Sequence, residues 1–197
     1  VVHSDLPARL WGFLLSIGIR PFVAVSFMPE MLAVEPATVF HYRANVTPPR
    51  SLRKWETLIQ RLVRHAIQRY GRDEVAQWPF EVWNEPNLKA FWTGSRLDYF
   101  RFYHATARAI KAVEPRIAVG GPATAMNAWI DEFLASCEKR KAPPDFVSTH
   151  HYPTDAFGKP GDDTVTQLSD SRRSVLRDQA AAVRRKVTDK PLYYTEW

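Results

Sequence analysis

Short apolar runs that alternate with amphipathic stretches constrain this chain more than any other property of its sequence. Residues 51–70 carry the strongest helical signal. Trp55, Leu58, Ile59, Leu62, Val63, Ala66, Ile67 and Tyr70 recur at the i, i+3, i+4, i+7 spacing, Ser51 is placed to cap the start, and Gly71 fits the stop. Similar periodicity predicts helices near 5–17, 96–113, 127–140 and 170–187; the one near 96 opens on Ser95 and Asp98 in a capping-box pattern and ends before Pro115. Between them lie five runs that read as buried strands, at 22–27, 80–83, 117–120, 146–149 and 192–195. Such alternation predicts parallel strands joined by right-handed crossovers, with helices covering the sheet. Two α/β architectures satisfy it, a doubly wound open sheet and a (β/α)8 barrel.

Composition narrows the partners. The chain has 197 residues and is 45% hydrophobic, which suits one core and one domain over 1–197. One cysteine, Cys137, excludes an intramolecular disulfide and a multi-cysteine metal cluster. The net charge is +6, but 27 basic and 21 acidic residues are interleaved. The densest basic cluster, Arg184-Arg185-Lys186, falls late in a helical pattern, where cations suit the helix dipole. No nucleic-acid partner is expected. No apolar stretch reaches about 18 residues, so no membrane span is expected either, and the protein reads as soluble with its compartment open. Gly120-Gly121 is followed by Pro122 rather than a phosphate-loop pattern, so no nucleotide cofactor is expected.

In a parallel α/β protein the chemistry collects where the strands end. The residues there are Met28-Pro29-Glu30, Asn84-Glu85-Pro86-Asn87, Pro122-Ala123-Thr124, His150-His151-Tyr152-Pro153 and Glu196-Trp197. Glu85 and Glu196 stand on different strands, and only a closed or strongly curved sheet brings them face to face. Two carboxylates across a cleft are the equipment for splitting a glycosidic bond: one protonates the leaving oxygen, the other attacks or stabilises the anomeric carbon. Pro86 ends the strand ladder just past Glu85, and Asn84 and Glu85 share one site only if the strand bulges or ends there. On a regular strand Trp83 shares Glu85's face and lines the barrel interior; Trp92, beyond the strand, either stacks on sugar or packs in a loop. The His150-His151 pair reads as one solvated and one hydrogen-bonded imidazole, with no third metal ligand at suitable spacing, so no metal is expected. Cys137 reads as a small core residue, and Asp162 and Asp163 as members of a solvated loop over 157–166, with a border of the substrate entrance as the alternative.

The stretch Phe80-Glu81-Val82-Trp83-Asn84-Glu85-Pro86-Asn87, followed by Phe91-Trp92, resembles the acid/base strand of the clan A retaining glycosidases, and most closely glycoside hydrolase family 39, the β-xylosidases and α-L-iduronidases. Residues 17–29 are similar to that family's third strand, His150-His151-Tyr152 to its sixth strand end, and Tyr194-Thr195-Glu196-Trp197 to its seventh. The resemblance implies a (β/α)8 TIM barrel present as about strands three to seven. It implies Glu85 as general acid and then base, Glu196 as nucleophile, Asn84 on the sugar 2-hydroxyl, Tyr152 as donor to Glu196, and His150 on sugar hydroxyls or the acid/base. A general acid of this kind must hold its proton near neutral pH, which burial beside Trp83, Phe91 and Trp92 and an anionic neighbour would favour.

The expected function is therefore a retaining, exo-acting β-xylosidase that releases xylose from xylo-oligosaccharides, with an α-L-iduronide as the alternative substrate. A barrel of this type typically needs about 250 residues and eight strands. The expectation is thus a partial barrel of a longer enzyme. Its open edges allow self-association, and a noncatalytic carbohydrate-binding or assembly fragment is the alternative function.

Overall fold

The computed structural model describes residues 5–154 and 163–197. In chain order the elements are α1 (Asp5–Ser16), β1 (Val23–Val25), β2 (Thr38–Val39), β3 (Ala44–Asn45), α2 (Leu52–Tyr70), α3 (Arg72–Val75), β4 (Phe80–Val82), α4 (Arg96–Lys111), β5 (Val119–Thr124), α5 (Ile130–Lys139), β6 (Phe146–His150), α6 (Thr164–Asp170), α7 (Val175–Lys186) and β7 (Leu192–Glu196). The five expected strands form one parallel sheet in the order β1-β4-β5-β6-β7, and β2 and β3 pair as a separate antiparallel hairpin. A doubly wound sheet reverses its strand order at a switch point. This order never reverses, which is the winding of a barrel, and the arc covers part of one.

The helices form where the periodicity places them, for identifiable reasons. Ser51 accepts from the Lys54 amide at the start of α2, and Trp55, Ile59, Val63 and Ala66 are its buried stripe. Ser95 and Asp98 make a full capping box on α4. Trp55 then donates its indole N–H to Thr106 at 2.8 Å, tying α2 to α4 inside the layer that covers β1 and β4. The helices expected at 127–140 and 170–187 begin later, at Ile130 and Val175. Trp129 at the first of these starts has a left-handed backbone, with φ at 60°, and before the second the short α6 intervenes, its start capped by Asp163. Asp163 is therefore a helix cap; Asp162 lies outside the described residues. Cys137 is buried in the main core, and burial pushes its thiol up to about 12. Among the described residues no helix is long and apolar enough to cross a membrane.

Register shows how the inner face is layered. Ala24, Glu81, Gly120 and Phe146 are successive partners across β1, β4, β5 and β6. Near the N-terminal ends of the strands the Phe146 ring meets Phe22 at 5.5 Å and Tyr193 at 5.2 Å, and Phe22 also meets Tyr193 at 5.5 Å. Rings from the first and last strand regions touch, so the sheet is strongly curved and floored with aromatics. Phe146 occupies this place because Gly120 has no side chain: a Cβ there would stand 2.3 Å from the ring and 2.5 Å from the Phe146 carbonyl oxygen.

At the same end of the sheet Arg116 and Arg72 clasp the buried Glu114. Their hydrogen bonds hold its carboxyl down at about 2. A carboxyl depressed in the folded state contributes stability above its unfolded value and loses it as pH falls through its folded value. Urea unfolding of Glu114→Gln should show the deficit against the parent largest at pH 7, shrinking from about pH 4.3 downward and gone near pH 2. Gly120→Ala should overpack the floor at a cost of about 1–3 kcal/mol, lowering Tm by about 3–10 °C. Gly12→Ala in α1 puts a Cβ at an ordinary 3.7 Å from Tyr70 and should stabilise by about 0.5–1 kcal/mol through helix propensity. Thermal melts of the two glycine variants check both signs.

Candidate active site

β4 stops at Val82, and the chain then leaves regular geometry. Trp83 and Glu85 take positive φ values of 75° and 43°, a region that side chains seldom occupy. Backbone bonds fix the turn: the Trp83 amide donates to Val25 at 3.2 Å and the Glu85 amide to Ala123 at 2.7 Å. Asn87 clasps the next loop from both sides, its carbonyl accepting from the Ala125 amide at 2.8 Å and its NH2 donating to the Ala125 carbonyl at 3.2 Å. Glu85 is thereby held 7% exposed at the C-terminal mouth of the arc, with Asn84 half-buried beside it.

The irregular backbone changes what the tryptophans do. Alternation on a regular strand puts Trp83 in the barrel interior beside Glu85; the positive φ turns it instead into the helix-covered layer. Its ring packs on Trp92 at 5.0 Å and on Phe102 of α4 at 5.4 Å, and its N–H donates to the Phe91 carbonyl at 2.8 Å. Trp92, 1% exposed, packs there too rather than presenting a face to sugar. The aromatic surroundings expected for Glu85 thus serve the loop's shape.

The second carboxylate arrives through a bulge. Thr149 pairs with Tyr194, but His150 pairs with Glu196, so one extra residue of β7, Thr195, is accommodated beside His150. Both Thr195 and Glu196 then reach the same imidazole. His150 is 1% exposed; its Nδ1 lies 3.1 Å from Glu85 Oε1 and 3.5 Å from Glu196 Oε2, and its Nε2 lies 3.1 Å from the Thr195 hydroxyl. Tyr152 donates its phenol to Glu196 Oε2 at 2.8 Å. Burial, with the hydrogen bond to Glu196 adding to it, pushes this phenol up to about 12, so Tyr152 stays a donor across the working pH range.

His151 departs from the expected solvated imidazole. It is 4% exposed, neither ring nitrogen has a hydrogen-bond partner among the described residues, and burial lowers its proton affinity. Sequence spacing offered no third ligand beside the histidines, yet one atom each from Glu85, His150 and Glu196 lie within 4.8 Å of one another. The three come from three strands, which is why spacing could not reveal them. Grouping alone does not make them metal ligands: Nδ1 already faces Glu85 and Nε2 already faces Thr195, so the imidazole has no free nitrogen to offer.

One residue of the network escaped the sequence reading altogether. Glu81, in the middle of β4 and 5% exposed, accepts the Thr195 hydroxyl at 2.8 Å. Burial raises its proton affinity, against the opposing pull of the Ser148 and Thr195 hydroxyls and of His150. The available signal was a carboxylate embedded in an apolar strand and in phase with Glu85, a position that water cannot satisfy and protein must.

Comparison with known proteins assigns the family and supports the fold. The profile described as glycosyl hydrolases family 39 matches residues 8–197. A beta-xylosidase of Caldicellulosiruptor saccharolyticus is 48% identical over 186 residues, covering 94% of this chain and 38% of that protein. A beta-xylosidase of Geobacillus stearothermophilus is 49% identical over 151 residues, 75% of this chain and 30% of the relative. The crystal structure of a monomeric beta-xylosidase from Caulobacter crescentus CB15 superposes with a TM-score of 0.87 at 38% identity, covering 100% of this chain and 41% of that one. The matched regions therefore span about 30–41% of the length of these relatives. With 190 contiguous residues matching the profile and the fold in agreement, this chain belongs to glycosyl hydrolase family 39.

Proposed function

We propose that the protein is a retaining glycosidase that removes xylose from the ends of xylo-oligosaccharides by double displacement. One observation carries this reading: the facing oxygens of Glu85 and Glu196 lie within 4.8 Å of each other. Retention requires carboxyls about 5–5.5 Å apart, whereas inversion needs about 6.5–9.5 Å to admit a water between them. In this reading Glu196, oriented by Tyr152, attacks the anomeric carbon while Glu85 gives its proton to the departing oxygen. Water then donates a proton to Glu85 and displaces Glu196, restoring both groups. Asn84 beside Glu85 is suited to the sugar 2-hydroxyl, a contact that tightens as the oxocarbenium-like centre forms. The names borne by the two bacterial relatives favour xylose over iduronate as the sugar.

Glu196→Ala should abolish hydrolysis of an aryl β-xyloside, and azide should restore turnover with a glycosyl azide of inverted configuration. Failure of azide to rescue a folded variant would remove Glu196 from the nucleophile's role. If the parent binds xylo-oligosaccharide with measurable heat and cleaves no aryl glycoside, the fragment is a noncatalytic binding module. Tyr152→Phe deletes a hydrogen bond to a charged group, worth about 1.5–3 kcal/mol, and should cut kcat/KM about 10- to 100-fold with KM little changed. Initial-rate kinetics check this.

A further inference from the structure

Beneath the two carboxylates runs a file of hydrogen bonds that double displacement alone does not use. Glu81 Oε1 accepts from the Thr195 hydroxyl at 2.8 Å, the same hydroxyl lies 3.1 Å from His150 Nε2, and His150 Nδ1 lies 3.1 Å from Glu85 Oε1. Glu81 and His150 are 5% and 1% exposed, so water does not substitute for these partners.

A hydroxyl has one proton, and with a neutral imidazole this restricts the file to two arrangements. When Glu81 is a carboxylate, the Thr195 proton points at it, the Thr195 oxygen accepts from Nε2–H, and a neutral imidazole is left with Nδ1 bare. A bare Nδ1 is matched by a protonated Glu85 and repelled by an ionised one. When Glu81 is protonated, it donates to Thr195, Thr195 donates to Nε2, and Nδ1–H faces a Glu85 carboxylate. Three hops convert the first into the second: Glu85 O–H breaks as Nδ1–H forms, Nε2–H breaks as a new Thr195 O–H forms, and the old Thr195 O–H breaks as Glu81 O–H forms. Protons and charge balance, with a single proton shared between the two glutamates.

We propose that Glu81 is a positioning residue for the acid/base: through Thr195 it selects the Nε2–H tautomer of His150, and that tautomer keeps the catalytic proton on Glu85. The inference rests on the reading of Glu85 as acid/base. The titratable groups around the file are Glu85 beyond β4, His150 on β6, Glu196 on β7, Tyr152 beyond β6 and Tyr99 on α4. Tyr99 is engaged elsewhere, donating to the Val82 and Pro122 carbonyls at 2.9 Å each. The neighbouring strands present Ala24 and Gly120 in Glu81's row, and neither titrates. Burial raises Glu81's own proton affinity, which keeps the second arrangement within reach.

The test is Glu81→Gln. Its amide carries no negative charge to hold the Thr195 proton, and its NH2 is able to donate to the Thr195 oxygen, which shifts the file toward the second arrangement. The ring 15N shifts of His150 should move from the Nε2–H to the Nδ1–H pattern, a readout that needs no turnover. The basic limb of the kcat/KM–pH profile should fall by about one pH unit or more. The loss should reach about 10- to 100-fold on alkyl or sugar leaving groups, which need the acid, and be small on dinitrophenyl xyloside, which does not. Thr195→Val, which cuts the file without touching a charge, should lower the same limb, and Glu81→Asp should restore part of it. An unmoved basic limb with equal losses on all leaving groups, or an unchanged His150 tautomer in folded Glu81→Gln, overturns the proposal. If the parent itself hydrolyses no glycoside while the tautomer still switches, the assignment of Glu85 fails and the coupling stands.

Discussion

A buried imidazole with both nitrogens engaged sits between three carboxylates, and most of the surrounding structure serves to keep it there. His150 reaches Glu85 and Glu196 on one side and, through Thr195, Glu81 on the other. Charged groups this deeply placed are costly unless every one of them is paired, so the position of each strand end follows from the need to complete the set. The bulge in β7 brings Thr195 and Glu196 to the same ring, and the positive φ of Glu85 brings in the third partner.

The packing beneath and behind this file supplies its rigidity. Phe146, seated over Gly120 and touching Phe22 and Tyr193, fills the lower arc with rings, so polar groups begin only at the level of Glu81 and Ser148. Behind β4, Trp83, Trp92 and Phe102 lock the loop that carries Glu85 against α4. Asn87 fastens that loop to the one after β5. The side chains at the strand ends are thereby held by residues packed behind them, which is the arrangement that preorganised sites require.

The sequence made some of this readable and hid the rest, for physical reasons. Strand and helix order followed from periodicity because each element buries one face, and the sequential strand order agrees with the barrel reading. Glu85 and Glu196 were legible as strand-end carboxylates, and Tyr152 was assigned to Glu196 through family resemblance, as the structure has it. Trp83 was misplaced because period-two alternation assumes a regular strand, and two left-handed residues break it. One imidazole of the His150-His151 pair was expected in water, but β6 runs one residue past its expected end to His150, and His151 just beyond it is buried too. Glu81 was passed over because its partner, Thr195, lies 114 residues away and reaches it only through the curvature of the sheet. The short hairpin β2–β3 and helix α6 lack a periodic apolar face, so nothing in the pattern announces them.

Thr195 and Glu196 stand on β7, whereas Glu81 is in β4 and Glu85 just beyond it, with β5 and β6 between. Any local parting of these strands would separate one half of the site from the other. Occupancy and local order are therefore tied together. A molecule that touches Glu85 and Glu196 at once acts as a clasp across four strands, and the tighter it is held, the less often they part.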